Sequence, residues 1–343
     1  MKKTLSVLFI GAWAAVAVGC GQGTGKEVSS SQSSGSSAPV KVMKLATVSP
    51  KERSLTQGLY KFGEIVEKES GGSIKVEVYP DGQLGGDIQT FEGMKMGTIH
   101  GSTMSTGLIA SFAKRFNVFD LPFLFKDEAT AYKVLDGPLG KELLNDLPST
   151  GVIGLNYWEN GFRHLTNSRR EVKSLDDIKG LKIRTLENQL HIDLWKELGA
   201  TPTPMAFTEL FTALEQKVVD GQENPAGNVK VSKFYEVQKY MTLTGHVYNA
   251  SPFMISKKFW DSLSDKEREI MTKAAEEAKD FQRKANQKEG SNATEYLRQN
   301  GMKVTELTAE QKKQFFDKVQ PVYKKFAPTI GEDYVNKLYE AVR

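Results

Sequence analysis

The chain has 343 residues, enough for two lobes of ordinary domain size, each with its own core, and so for a cleft between them. Its 46 basic and 42 acidic residues leave a net charge of +4, and so small a surplus excludes the clustered basic face that a nucleic-acid partner requires. A single cysteine excludes any intrachain disulfide.

Residues 1–19, MKKTLSVLFIGAWAAVAVG, place Lys2 and Lys3 before an apolar run and then small residues, the layout of an export signal and not of a membrane-spanning helix. The signal ends in Ala17-Val18-Gly19-Cys20. This resembles a bacterial lipobox, with Ala17 where leucine is commonest, and makes Cys20 the expected lipidated first residue of the mature protein. The alternative is a buried cysteine in an uncleaved signal. Residues 20–39 are rich in Gly and Ser, cannot bury a core, and should form a flexible tether spanning roughly 25 Å. The expected product is an exported lipoprotein anchored to the cell membrane by more than one acyl chain, facing the periplasm or the cell exterior.

From residue 40 strand and helix patterns alternate. VKVMKLAT is strand-like; SLTQGLYKFGEIVEKESGG carries Leu55, Leu59, Phe62 and Val66 at helical spacing and stops at Gly71-Gly72; SIKVEVYP puts Ile74, Val76 and Val78 on one face at period two. That is a β-α-β unit, which implies a largely parallel sheet covered by helices. DIQTFEGMKMG and ATAYKVLDGPLGKELLNDL read as further helices, and GVIGLNYW as a buried strand ending at Trp158. LKIR, a helix from about Asn188 to Leu198, and the helix FTELFTALEQ repeat the theme, so two α/β lobes are expected. Ser264 and Glu267 form a capping box, opening a proline-free helical stretch to about Gln299 that is long enough to bridge both lobes. Thr308 with Gln311 marks one more helix start, and the end of the chain reads as amphipathic helices packed on the outside.

The four histidines, His100, His164, His191 and His246, stand at no metal-ligand spacing. No phosphate-binding or nucleophile-elbow motif stands at a strand-to-helix turn, and the carboxylates fall mostly on helix faces such as DKEREIMTKAAEEAKD. By elimination the chain reads as a binder and not an enzyme, with no cofactor or metal implied. Arg184 stands where LKIR runs into a helix, and Arg163 just beyond the strand in YWENGFR. At the carboxyl end of a strand in an open α/β sheet, a guanidinium can grip a carboxylate with two parallel hydrogen bonds. The plainer reading of each is a surface arginine in a salt bridge.

The run GLKIRTLENQLHIDLWKELGATPTPMAFTELFTALEQKVVDGQENP is similar to the signature region of the DctP-type solute-binding proteins of TRAP (tripartite ATP-independent periplasmic) transporters. PDGQLGGD, LPFLF, NGFR, PTPMAF, DGQENP and KFYEVQKY fall in family order, so the likeness covers residues 41–343. It implies an α/β, two-lobed periplasmic-binding-protein-like fold with a long domain-spanning helix. Residues 40–160 and 250–289 would form lobe I, and residues 161–249 and 290–343 lobe II. The resemblance further implies that Arg184, in GLKxR, clamps the carboxylate of a small organic acid. Arg163, in NGxR, assists it, although one extra residue lies between these two motifs, and Asn224, in DGQENP, hydrogen-bonds the same group. Phe207, in PTPMAF, would form an apolar wall or pack in the core. Asp87, after QLGG, and Ser105, in STMSTG, would face the rest of the ligand. The sialic-acid branch carries a carboxylate where this chain has Ser105, which disfavours that ligand. Trp158 and Asn160, in YWENG, resemble the dicarboxylate-binding branch, although Trp158 could equally be a core residue, while a sugar acid would need hydroxyl partners such as Asp87 and Glu187. A C4-dicarboxylate is favoured over a uronate or other sugar acid. The implied partners are the small and large membrane subunits of a permease; the alternative is a binding protein that reports the same acids to a signalling system.

Overall fold

The computed structural model describes residues 39–343; the export signal, Cys20 and the tether to residue 38 lie outside the described residues. The chain opens with the expected β-α-β unit, β1 (Lys41–Ala46), α1 (Ser54–Glu69) and β2 (Ile74–Tyr79), with β1 and β2 parallel. Leu55, Leu59, Phe62 and Val66 turn one face of α1 into the core, as their spacing requires. Then come α2 (Asp87–Met96), stopped by Gly97 in the left-handed conformation at φ 81°, β3 (Gly101–Thr103) and α3 (Thr106–Ile109). The stretch expected as one helix is two, α4 (Glu128–Leu135) and α5 (Pro138–Leu144). Pro138 has no N–H to continue the first helix but fits the opening turn of the second.

β4 (Val152–Asn167) runs well past Trp158, where the sequence suggested an end. The Glu-Asn-Gly that reads locally as a turn is a bulge inside the strand, with Gly161 at φ 114°. Arg163 therefore lies within the strand and not beyond it. Short elements follow: α6 (Leu175–Ile178), β5 (Lys182–Thr185), α7 (Gln189–Glu197), β6 (Thr201–Pro204), α8 (Phe207–Glu215), β7 (Gly221–Asn224) and α9 (Ala226–Val231). The chain finishes with β8 (Tyr240–Ser256), α10 (Lys257–Asp261), α11 (Asp265–Gln299), β9 (Lys303–Glu306), α12 (Ala309–Lys318), α13 (Gln320–Ile330) and α14 (Glu332–Val342).

The nine strands of the described residues belong to one sheet in the order β2-β1-β3-β8-β4-β7-β5-β6, with β9 also on β8. β4 and β8 pair antiparallel along nearly their whole length. One end of β8 borders β3, while the other end of the pair borders β7 and β9, so the two long strands join a parallel set on each side. α11 crosses in the same way: its 35 residues extend about 52 Å. Its Met271, Ala274 and Ala278 share a core with α1 and β1, while its Ala293 and Leu297 share another with α8, α9 and β9. The two capping boxes read from the sequence, Ser264/Glu267 and Thr308/Gln311, open α11 and α12. The C-terminal helices bury Val322, Phe326, Tyr334 and Leu338 in a third cluster with Phe116, Phe119 and Trp195. The Tyr334 hydroxyl donates to the Leu139 carbonyl at 2.6 Å, so α14 rests on the α4–α5 region, which the sequence placed in the other lobe. No helix among the described residues is long and apolar enough to cross a membrane.

Candidate functional site

Sheet order brings the motif residues together. β4 pairs with β7, setting His164 opposite Asn224, and β7 pairs with β5 at Gly221 and Ile183, so Arg163, Glu223, Asn224 and Arg184 come from three adjacent strands. The glycine of DGQENP permits this approach: a Cβ on Gly221 would lie 2.1 Å from the Thr166 carbonyl oxygen. From the other half, α2 begins at Asp87, and Ser105 caps α3 by accepting from the Gly107 N–H. Asp87, Ser105, Asn160, Arg163, Phe207 and Asn224 line one cavity of about 40 Å³, room for about three water molecules. An organic acid needs more, so the walls must part to admit one.

Arg163 and Arg184 are both buried, which excludes the plainer reading of two surface arginines. Arg163 is held by its own protein while lining the cavity: its guanidinium pairs with the Glu223 carboxylate, Nη2 to Oε1 at 2.8 Å, and one N–H of Nη1 reaches Asn249 Oδ1 at 3.2 Å. Burial alone would push the Glu223 carboxyl up, but Arg163 and His246 override it and hold it well below the usual carboxylate range. Burial keeps the His246 ring neutral, so its Nε2–H donates to Glu223 at 3.0 Å while Nδ1 accepts from the Thr244 hydroxyl at 2.8 Å.

Arg184 lies just outside the residues lining the cavity. Its Nε and Nη2 both donate to the Met205 carbonyl, at 2.9 and 2.6 Å, and its Nη1 is buried with no partner among the described residues. Burial, reinforced by Arg163, pulls this guanidinium down to about 10, so it stays cationic at neutral pH. The result is a fixed cation with a spare N–H, an arrangement that costs free energy until an acceptor arrives.

Asn224 is held by donation to Gln222 Oε1 at 2.5 Å and acceptance from Asn228 at 2.8 Å. Burial pushes the Asp87 carboxyl up to about 7, with Arg184 opposing and Glu187 adding to the rise. Phe207 is wall and core at once: it lines the cavity while its ring meets Phe234 edge-on at 5.9 Å. Two expected residues fall elsewhere. Trp158 lies in the core, stacked on Phe253 at 4.8 Å, and Glu187 is exposed outside the lining.

The sequence reading passed over Asn249. Fully buried in β8, it accepts from Asn160 at 2.9 Å and from Arg163, and donates to Ser105 Oγ at 2.7 Å, so one amide ties both walls of the cavity together. Asn160 in turn accepts from Arg53, which pairs with Glu289 of α11. The available signal was an asparagine inside the apolar run HVYNASPFMIS, since a polar group in a buried strand must have partners. A larger cavity of about 420 Å³, lined among others by Arg53, Glu159, Asn160, His164 and Asn286, contains none of the residues expected to hold the carboxylate, Arg184, Arg163 and Asn224.

Comparison with known proteins bears on what such a site holds. The family model for bacterial extracellular solute-binding protein, family 7 (DctP) matches residues 45–329. The C4-dicarboxylate-binding protein DctB of Bacillus subtilis is 33% identical over 281 residues, 82% of this chain and 80% of that protein. The solved sugar acid binding protein of Advenella mimigardefordensis in complex with galactonate is 43% identical, with TM-score 0.87 over 89% of this chain and 99% of that one. A TRAP periplasmic solute binding protein of Polaromonas bound to D-erythronate is 39% identical, with TM-score 0.85 over 87% and 98%. The chain shares their two-lobed fold, and with the family model spanning most of its length it belongs to the DctP family, the bacterial extracellular solute-binding proteins of family 7.

Proposed function

We propose that this protein is the extracytoplasmic solute-binding subunit of a TRAP transporter, and that it captures a small organic acid by its carboxylate. The observation that carries this is the buried, unpartnered Nη1 of Arg184 beside a polar cavity. A carboxylate there would satisfy it with a charge-assisted bond, and Arg163 and Asn224 would complete its shell. β4, β8 and α11 pass between the two halves, so closure would bend these elements and bring Asp87 and Ser105 toward the clamp. Excluding water strengthens each charged contact, and no covalent step is needed. The closed form, built from lobe I (40–160, 250–289) and lobe II (161–249, 290–343), would then dock on the membrane subunits. No observation favours the signalling alternative.

The names of relatives span C4-dicarboxylates and sugar acids. The solved relatives bound to galactonate and D-erythronate, 43% and 39% identical, are more similar than the one bound to succinate, 31% identical, which shifts the balance from the dicarboxylate the sequence favoured. The test is thermal unfolding of ligand-free mature protein against dicarboxylates, aldonates, uronates, 2-oxo acids and aromatic acids. A ligand at 100 times its dissociation constant should add about 2.7 kcal/mol, a shift of several degrees. No shift with any acid would overturn the reading. We also infer that Cys20 carries the lipid anchor, so Cys20→Ala should release the protein from the membrane fraction. Full retention of that variant with its signal intact would exclude lipidation as the anchor.

A further inference from the structure

We propose that the cavity of about 420 Å³ between β4 and α11 is a second binding site, built for a small hydroxylated ammonium compound of the amino-alcohol type. It shares only Asn160 with the acid cavity and does not depend on the carboxylate-capture reading.

Five segments meet around this space: Arg53 ahead of α1, Glu128 at the start of α4, Glu159 and Phe162 of β4, Gly227 of α9, and Asn286 of α11. The charges among them do not balance. Arg53 is matched by Glu289 of α11 and also donates to Asn286 at 3.3 Å and to Asn160 Oδ1 at 2.6 Å. Glu159 is buried, accepts from the Tyr132 hydroxyl at 2.6 Å, and has no ion-pair partner among the described residues. Arg283 acts on it from α11, but that guanidinium is held by both Asp136 oxygens, at 2.6 and 2.8 Å. Glu128 adds a second carboxylate at the exposed rim. Burial keeps His164 neutral, with its Nδ1 accepting from the Gly245 N–H at 3.0 Å, and Lys126 and Lys312 line an adjoining groove but not this cavity.

Two carboxylates therefore share a cavity whose one guanidinium is already neutralised. Burial pushes the Glu159 carboxyl up against the pull of Tyr132 and Asn286, and Glu128 adds to the rise. A cation between them relieves both the burial and the repulsion.

The cavity suits an organic cation. Among the described residues no group of three or more His, Cys, Asp and Glu could hold a metal ion, and the space is far wider than one. Phe162 supplies an aromatic wall, a surface that attracts ammonium groups. The hydroxyl follows from Arg53, whose Nε is buried with no partner. A carboxylate there would meet a guanidinium that Glu289 has already neutralised, whereas a hydroxyl oxygen accepts the N–H without adding charge.

The experiment is calorimetric titration of ligand-free mature protein with ethanolamine hydrochloride at pH 8, against matched potassium chloride. Ethylammonium, which carries the charge alone, and ethylene glycol, which carries hydroxyls alone, are titrated beside it. Wild type should bind one ethanolamine saturably, and each comparator at least about fivefold more weakly. Glu159→Gln should weaken ethanolamine at least about tenfold, and Glu128→Gln, at the rim, about threefold. The melting temperature of Glu159→Gln should match or exceed wild type at pH 8, because the folded state raises this carboxyl and its ionised form costs stability as pH rises. Should that variant fail to fold, Glu128→Gln decides alone. No saturable binding by wild type, a comparator binding as tightly as ethanolamine, or unchanged binding in every folded glutamine variant overturns the proposal.

Discussion

Replacing Arg184 with methionine should abolish acid binding while leaving the ligand-free protein about as stable as before. The guanidinium is buried and its Nη1 has no partner, so the empty site carries a desolvation cost that the ligand's carboxylate relieves. Truncating one side of such a desolvated charge pair costs about 2 to 5 kcal/mol of binding, at least about thirtyfold in the dissociation constant. Stability should move little because two effects oppose. The Met205 carbonyl loses both its donors, while a buried cation, pulled down to about 10 by burial and Arg163, disappears. Arg184→Lys should recover little. An ammonium keeps the charge but cannot hold the Met205 carbonyl with two nitrogens and offer a third in the same plane. Calorimetry with the acid that shifts the wild-type melting temperature, beside thermal melts of both variants, separates binding from folding. A Met variant binding within threefold of wild type would remove Arg184 from the site.

The second large effect falls on the fold. Glu223→Leu should destabilise the ligand-free protein by about 3 to 5 kcal/mol, because it strands the Arg163 charge in the interior. Removing both charges, as in Arg163→Met with Glu223→Leu, should cost much less, since paired buried ions can often be replaced by apolar groups of similar size. The loss in the single variant should also depend on pH. Arg163 and His246 hold the Glu223 carboxyl below its unfolded value against the cost of burial, so its contribution is present above the unfolded carboxylate range, about pH 4.5. That contribution is lost as the pH falls toward the folded value. Denaturant melts at pH 7 and pH 3 should therefore show a wider gap between wild type and Glu223→Leu at pH 7. Equal gaps would mean that the ion pair adds nothing.

Several parts of the site were legible in the sequence because their determinants are local. The β-α-β opening follows from Leu55, Leu59 and Phe62 at helical spacing beside Ile74 and Val76 at period two, and both capping boxes were read from residues three apart. The corner at Arg184 is of the same kind, a short strand followed by Asn188, whose side chain caps α7. Motif resemblance then supplied roles for Arg184, Arg163 and Asn224. Where local signals failed, the competing signal was also local: Glu-Asn-Gly looks like a turn whether a strand ends there or bulges and continues.

What only the tertiary structure decided is which groups meet. Trp158 looked equally suited to a ligand wall or a core, and the approach of Gly58 in α1 and Phe253 in β8 settles it as core. Arg163, whose motif implies an assisting role at the ligand, is also paired with Glu223, sixty residues away, because sheet order sets β7 beside β4. Asn249 and Ser105 are 144 residues apart and share a hydrogen bond. A single sequence encodes caps, periodicity and turns within a few residues, and these showed the opening β-α-β unit, both capping boxes and the corner at Arg184, but not the long strand β8. The charge state of the cleft depends instead on long-range pairing, which leaves no mark at any one position: one cation with a spare N–H, one matched by a glutamate, and an aspartate opposite.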